Sequence, residues 1–332
     1  MIFKILSLVI LFSLYLYGSE ELFELKAINY SMENDTLMNT DFDYTHGVKI
    51  SLLYYRGDTS NSIFNIPFTS HKDTNNFISF AYANHMYTPY DLCQTQLIKD
   101  DRPYAGYSYL EFALHQSSKT NLDSLTLEIG NIGPQSKINK LQDKIHKALN
   151  AKDANGWDNQ LKNEIIIQLN YMHKWRLQYE NFYGYNSILT PYAGFDLGNR
   201  SIRASGGGLY RIGHNIPSDF GYNTIKEGSF SSMPTNSKTV INDSSNYSAY
   251  LNFALGSSFV VRDIFLDGNS FKNSHSVDKK PLIGFVSTGV TLRYKSFALD
   301  LFHTYYTKDF KDRGKYKKYK GFSSFTLTYY FE

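Results

Sequence analysis

The chain has 332 residues, a formal net charge of +3 and one cysteine, Cys93. So small a positive balance gives no case for a nucleic-acid partner, and a lone cysteine excludes an internal disulfide and a thiolate zinc centre. Aromatic residues make up 16%, with 28 Tyr and 24 Phe against 2 Trp, a bias that suits β-strands and the interface girdles of outer-membrane barrels.

Met-Ile-Phe-Lys followed by the apolar run Ile5 to Tyr17, then Gly18-Ser19 and the acidic Glu20-Glu21, has the form of a secretory signal peptide. The expected signal is 1–18, and the run is too short to span a bilayer as a helix, which takes about 20 apolar residues. The mature chain, 19–332, contains no linker or composition shift and reads as a single domain. Two-residue alternation marks strands at Phe23 to Tyr30, Gly47 to Tyr55, Asn76 to Met86, Ala105 to His115, Ser124 to Ile129, Ile165 to Tyr179 and Leu189 to Phe195. It continues at Ile202 to Ile212, Tyr247 to Val261, Ile283 to Tyr294, Phe297 to Tyr306 and Phe322 to Phe331. Several of these roughly twelve segments reach ten residues, the length of a tilted membrane strand. The expected fold is therefore all-β, a closed antiparallel transmembrane β-barrel of about twelve strands.

Between the strands, Asn121-Leu122-Asp123 and Tyr294-Lys295-Ser296 are short enough for periplasmic turns. Asn215 to Ser245 and Asp263 to Pro281 are long, polar and rich in Ser, Asn and Gly, as extracellular loops are. The run Lys315 to Lys320 (K-Y-K-K-Y-K) reads as a solvated hairpin loop. One stretch departs from strand character. Between Asn131 and Glu164, apolar residues at Ile138, Leu141, Ile145 and Leu149 have helical spacing, and Gln142 and His146 share a face beside that stripe.

Chemistry-bearing residues cluster in three places. Glu33-Asn34-Asp35 ends the first strand and Tyr44-Thr45-His46-Gly47 opens the second; Asp100-Asp101-Arg102-Pro103-Tyr104-Ala105-Gly106 precedes the fourth; the helical stretch holds Gly133-Pro134, Gln142, His146 and Gly156-Trp157. There is no G-x-S-x-G elbow, no H-E-x-x-H and no phosphate-cradling glycine loop. A histidine, acidic and amide oxygens and a hydroxyl suit a water nucleophile, with His146 as general base and a hard cation held by oxygens. Each cluster taken singly also fits an ordinary structural role, as an Asx turn at Asn34-Asp35 or a strand break at Gly133-Pro134.

In chain order, E-N-D at 33–35, Y-T-H-G at 44–47, Y-T-P at 87–89, D-D-R-P-Y-A-G at 100–106, I-G-P at 132–134, Q-x-x-x-H at 142–146 and G-W-D-x-Q-L at 156–161 resemble the outer-membrane lipid A 3′-O-deacylase family, LpxR. The motifs run from about residue 25 to 180. The resemblance implies a twelve-stranded barrel in the bacterial outer membrane whose active site lies between the wall and a helix. It implies Ca2+-dependent hydrolysis of the 3′-acyloxyacyl ester of lipid A in lipopolysaccharide. By motif position it places the base at His146, a helical partner at Gln142, the Asn-Asp pair and metal ligands at Asn34 and Asp35, and a strand hydroxyl at Thr45. The family's lysine falls near Gln94, with Lys99 the nearest lysine. The rival readings are an outer-membrane phospholipase A, for which His275 between Ser274 and Ser276 is the one candidate, and a non-catalytic pore or structural barrel. A closed barrel satisfies its own edges, so a monomer is expected.

Overall fold

The computed structural model describes residues 23–35, 42–56, 65–66, 68–69, 74–149, 153–182, 185–225, 228–236, 246–311 and 320–331. The expected signal peptide and most of the Lys315 to Lys320 run lie outside the described residues. Strands β1 (Phe23–Asn34), β2 (Asp43–Arg56), β3 (Asn75–Thr88), β4 (Ala105–Ser117), β5 (Asn121–Ile132) and β6 (Glu164–Trp175) follow one another as antiparallel neighbours. So do β8 (Tyr185–Gly198), β9 (Ser201–His214), β10 (Tyr247–Asp263), β11 (Leu282–Tyr294), β12 (Phe297–Tyr306) and β13 (Lys320–Tyr330). β1 pairs with β13 and β6 with β8, so no edge is left. The short β7 (Leu177–Phe182) continues β6 past Arg176 in the same register on β8, Lys174 facing Tyr192 and Leu177 facing Leu189. The wall is thus a closed antiparallel barrel of twelve strands, as the alternation predicts.

Its residues are sorted by solvent in reverse of a soluble protein. On β10, Leu251, Phe253, Leu255 and Phe259 face outward and are about half exposed, while Ser248, Tyr250 and Asn252 between them are buried in the lumen. An apolar outer band with a polar interior is stable where the surrounding solvent is lipid.

Strand order fixes which end each connection occupies. The chain enters β1 and leaves β13 at one end; the β2–β3, β4–β5, β9–β10 and β11–β12 connections lie there too. The β1–β2, β3–β4, β5–β6, β10–β11 and β12–β13 connections occupy the other end. The short turn at Lys295–Ser296 falls on the terminal end. The turn expected at Asn121 to Asp123 lies just before that stretch, at Ser118–Thr120 on the same end, because Leu122 and Asp123 already pair with Ser117 and Gln116 as the start of β5. The segment starting at Asn215 does not behave as an extracellular loop. It also leaves from the terminal end, and its described parts fold back into the lumen. Phe220, Phe230 and Met233 pack there with Leu53, Phe77, Leu122 and Tyr330. Lys49 Nζ donates to both Glu111 carboxylate oxygens at 2.8 Å and to the Ser229 carbonyl at 2.8 Å. Ser117 Oγ donates to the Pro234 carbonyl at 2.7 Å, the Ile225 N–H to Glu33 Oε1 at 2.8 Å, and Arg211 is ion-paired with Asp219. The apolar side chains hidden among its Ser, Asn and Gly residues account for the insertion, since the lumen is where they escape water.

Candidate functional site

The excursion between β5 and β6 carries the expected helix, α1 (Ile138–Leu149), bracketed by short 3-10 turns at Pro134–Ser136 and Trp157–Asn159. Gly133 has φ 96°, a left-handed conformation that glycine adopts without strain, and a Cβ there would lie 2.7 Å from Asn163 N and from Leu161 O. The departing and returning legs therefore touch at this glycine. Both are tied to the approach to β4, Gly133 N–H to the Gly106 carbonyl and Leu161 N–H to the Tyr104 carbonyl, each at 2.9 Å.

α1 packs on the outer side of the wall over β3 and β4. Met86 lies on the same outer face as Tyr82, yet it is fully buried, because Ile138, Trp157, Tyr104 and Leu92 cover it. Gly106 makes this approach possible, since a Cβ there would lie 2.6 Å from Ile138 Cβ and 2.6 Å from Ser136 Oγ. The helix does not bury the stripe that its apolar spacing suggests. Ile138, Gln142 and His146 form its buried line, whereas Leu141 and Ile145 flank it half-buried. Gln142 is 1% exposed and accepts a hydrogen bond from Trp157 Nε1 at 2.7 Å.

The other half of the set lies at the same rim. Asn34, His46, Met86 and Gly106 are successive cross-strand partners over β1 to β4. At a strand spacing of about 4.8 Å, Asn34 stands about 10 Å along this row from Met86, on which α1 rests. A β-bulge at Thr45 shifts the register between Tyr44 and His46, the usual device for re-aiming a side chain at a sheet end. Thr45 Oγ1 lies 2.7 Å from Thr88 Oγ1, and Thr88 alternates with Met86 on the outer side. Asn34 Nδ2 is 3.5 Å from His46 Nδ1. Asp35, 1% exposed, receives the Phe42 N–H on Oδ2 at 2.8 Å and donates its own N–H to the Thr45 carbonyl at 3.4 Å. Asn34, Asp35 and Thr45 are thus gathered at one rim, with Gln142 and His146 on the helix beside it. Lys99 is set apart: it is exposed on the β3–β4 connection and makes no hydrogen bond or ion pair with the described residues.

The remaining motif residues brace this rim. Tyr44 reaches over Gly47, where a Cβ would lie 2.1 Å from its hydroxyl oxygen, and donates to Glu33 Oε2 at 2.7 Å. Arg102 pairs with Asp43 at 2.8 Å and Asp309 at 2.6 Å, and Lys320 with the same two carboxylates at 2.9 and 3.0 Å. Burial alone would lower the Arg102 pKa, but Asp309 and Asp43 hold it well above the ordinary value. Burial raises the Asp101 carboxyl, opposed by the Tyr90 and Arg102 N–H groups it accepts. Sequence reasoning did not single out Asp43 or Asp309, and it placed Lys320 in a solvated loop; Lys320 instead opens β13 and is buried, because the Asp43 and Asp309 carboxylates hold it there.

The donor set at Asn34, Asp35 and Thr45 consists of a carboxylate, an amide carbonyl and a hydroxyl, the hard oxygens that Ca2+ takes. Among the described residues no group of three His, Cys, Asp or Glu stands ready to hold a metal, so such a site would be completed by water, backbone or substrate oxygens. The rival serine candidate is not assembled. His275 Nε2 faces the Asp101 carbonyl at 2.8 Å and so carries its proton there, and Ser274 Oγ accepts the Asn269 N–H at 2.8 Å. A lumenal cavity lined by Tyr44, Asp196, Arg203 and Asp263 lies within the wall, and neither Gln142 nor His146 lines it.

A closed twelve-stranded wall with an apolar exterior, and a polar rim under an external helix, define an outer-membrane β-barrel. The family model described as outer membrane protein LpxR matches residues 5–331, and the chain belongs to the LpxR family. Among solved structures it is similar to LpxR from Salmonella typhimurium, with a TM-score of 0.70 and 17% identity, over 92% of this chain and 100% of that one. The β domain of the Bordetella autotransporter BrkA gives a TM-score of 0.45 and 8% identity, over 92% of this chain and 99% of that one. No curated protein matches. The barrel resides in the outer membrane.

Proposed function

We propose that the protein is a lipid A 3′-O-deacylase that hydrolyses the 3′-acyloxyacyl ester at the outer rim of the barrel. The observation that carries this reading is the placement of Gln142 and His146. A helix resting on a lipid-facing wall has no packing reason to turn an amide and an imidazole inward and leave Leu141 and Ile145 at its flanks. A substrate that remains in the membrane reaches such a site without leaving lipid.

In the proposed reaction, His146 takes a proton from water as the water oxygen bonds to the ester carbonyl carbon. The tetrahedral intermediate then collapses with cleavage of the bond to the sugar oxygen. His146 returns the proton to that oxygen, giving a sugar hydroxyl and an acyloxyacyl acid. Asn34 and Asp35, with Thr45 beside them, would hold Ca2+, which when bound supplies positive charge to the polarised carbonyl. Asp35 is itself held by the Phe42 N–H and Asn34 lies against His46, so these donors need little reorganisation to serve. The test is mass spectrometry of lipid A incubated with purified protein. Loss of the 3′ acyloxyacyl mass supports the reading; release of phospholipid acyl chains with lipid A intact would replace it with a phospholipase, and no change in either would leave a structural barrel.

A further inference from the structure

We infer that the oxyanion of the ester reaction is met in this chain by the side-chain amide N–H of Gln142, and that Trp157 is the positioning residue that aims it. The inference rests on the deacylase reading and adds a donor to it.

An indole nitrogen can only donate, so the 2.7 Å contact from Trp157 Nε1 settles that the oxygen of the Gln142 amide faces the tryptophan. The amide nitrogen is thereby turned the other way. It is buried and has no hydrogen-bond partner among the described residues. Buried donors are nearly always paired in folded proteins, and one left without an acceptor on a helix beside a proposed base points to an acceptor that arrives with the substrate. Gln142 and His146 are one turn apart on the buried line of α1, about 5 to 6 Å between Cβ atoms. A carbonyl whose carbon is attacked by water held at His146 places its oxygen within reach of that amide.

Trp157 is suited to hold the direction. It is 6% exposed, its ring lies 4.9 Å from that of Tyr104, and it packs in the cluster of Met86, Leu92 and Ile138. The preceding Gly156 presses the backbone onto Tyr104, where a Cβ would come within 2.5 Å of the ring. Lys99, the lysine nearest the position that the resemblance implies, is exposed and makes no hydrogen bond or ion pair with the described residues. The acceptor class is the ester carbonyl of an acylated sugar.

The test uses purified full-length barrel in detergent with lipid A as substrate. Gln142→Glu keeps an oxygen for the indole and removes the amide donor; loss of one oxyanion donor lowers kcat about 10² to 10³-fold. Trp157→Phe keeps a ring on Tyr104 and removes the indole N–H; kcat falls about tenfold as the amide loses its aim, with KM unchanged. Wild-type kcat in both variants, with His146→Ala inactive, overturns the inference while leaving the deacylase reading standing. A wild-type barrel that releases no acyl chain overturns the deacylase reading instead and removes the oxyanion role with it. The clamp has its own readout, because the chain has only two tryptophans. In 15N-indole spectra assigned with Trp175→Phe, Gln142→Leu moves the Trp157 resonance; an unmoved resonance overturns the clamp whatever the activity.

Discussion

Two long polar segments leave the same wall and end in opposite solvents. The excursion between β5 and β6 folds outward and lays a helix on the lipid-facing side of β3 and β4; the segment after β9 folds inward and fills the lumen. Both are rich in Asn and predominantly polar, so polarity does not separate them. Strand parity does, since one departs from the end opposite the termini and the other from the terminal end. Their bonds also differ in kind. The outer segment is held by backbone contacts and close glycines at 106, 133 and 156, and it buries the amide of Gln142 and the imidazole of His146 against the wall. The inner one is held by buried charges, Lys49 with Glu111 and Arg211 with Asp219, and by Phe220 and Phe230. In this barrel, charge in the lumen serves architecture, and the polarity under the outer helix carries the proposed chemistry.

The contrast can be broken most severely at His146. His146→Ala is expected to lower turnover by about 10² to 10⁴-fold, the contribution of positioned general-base help, with heat-modifiable mobility in gels unchanged. Arg211→Ala should do the reverse. It strands a buried carboxylate at Asp219, which costs about 3 to 5 kcal/mol; urea unfolding should show the loss, while deacylation below the transition stays near the wild-type rate. Gly106→Val drives a side chain into Ile138 and Ser136. Overpacking of this kind costs about 1 to 3 kcal/mol, and it should lift α1, so activity falls further than the stability of the barrel. Lys99→Ala is expected to change kcat less than about twofold, since an exposed lysine with no partner among the described residues contributes little. A large loss at Lys99 would show that the β3–β4 connection closes over the substrate and would sharpen the division of labour just drawn.

Much of this was legible in the chain. Alternation located the twelve strands, and the unbroken reading from Ile165 to Tyr179 was right, because β6 and β7 are one strand in one register. The site motifs were legible as residue types, and three of their glycines turn out to be close approaches: Gly47 under Tyr44, Gly106 under Ile138, and Gly133 between the legs of the excursion. Two things were not legible. Asn215 to Ser245 resembled a solvated loop because Ile216, Phe220, Ile225 and Phe230 are too sparse to give a periodicity, and only pairing partners reveal that they enter the lumen. The buried line of α1 was obscured for a related reason. Apolar spacing predicts the buried side when a helix packs on an apolar core, but this helix packs beside a polar rim in a membrane, where Leu141 and Ile145 gain nothing by being innermost.

Asn34 is the cross-strand partner of Ser323 as well as of His46. The half of the site carried by β1 therefore sits on the seam where the first strand of the barrel meets the last. Arg102, from the approach to β4, shares Asp43 and Asp309 with Lys320 at the start of β13. A chain whose ends have not met lacks both the wall behind Asn34 and the charges bracing its neighbours. On the proposed site, completion of the barrel and readiness for reaction are the same event, and a half-inserted chain would be silent.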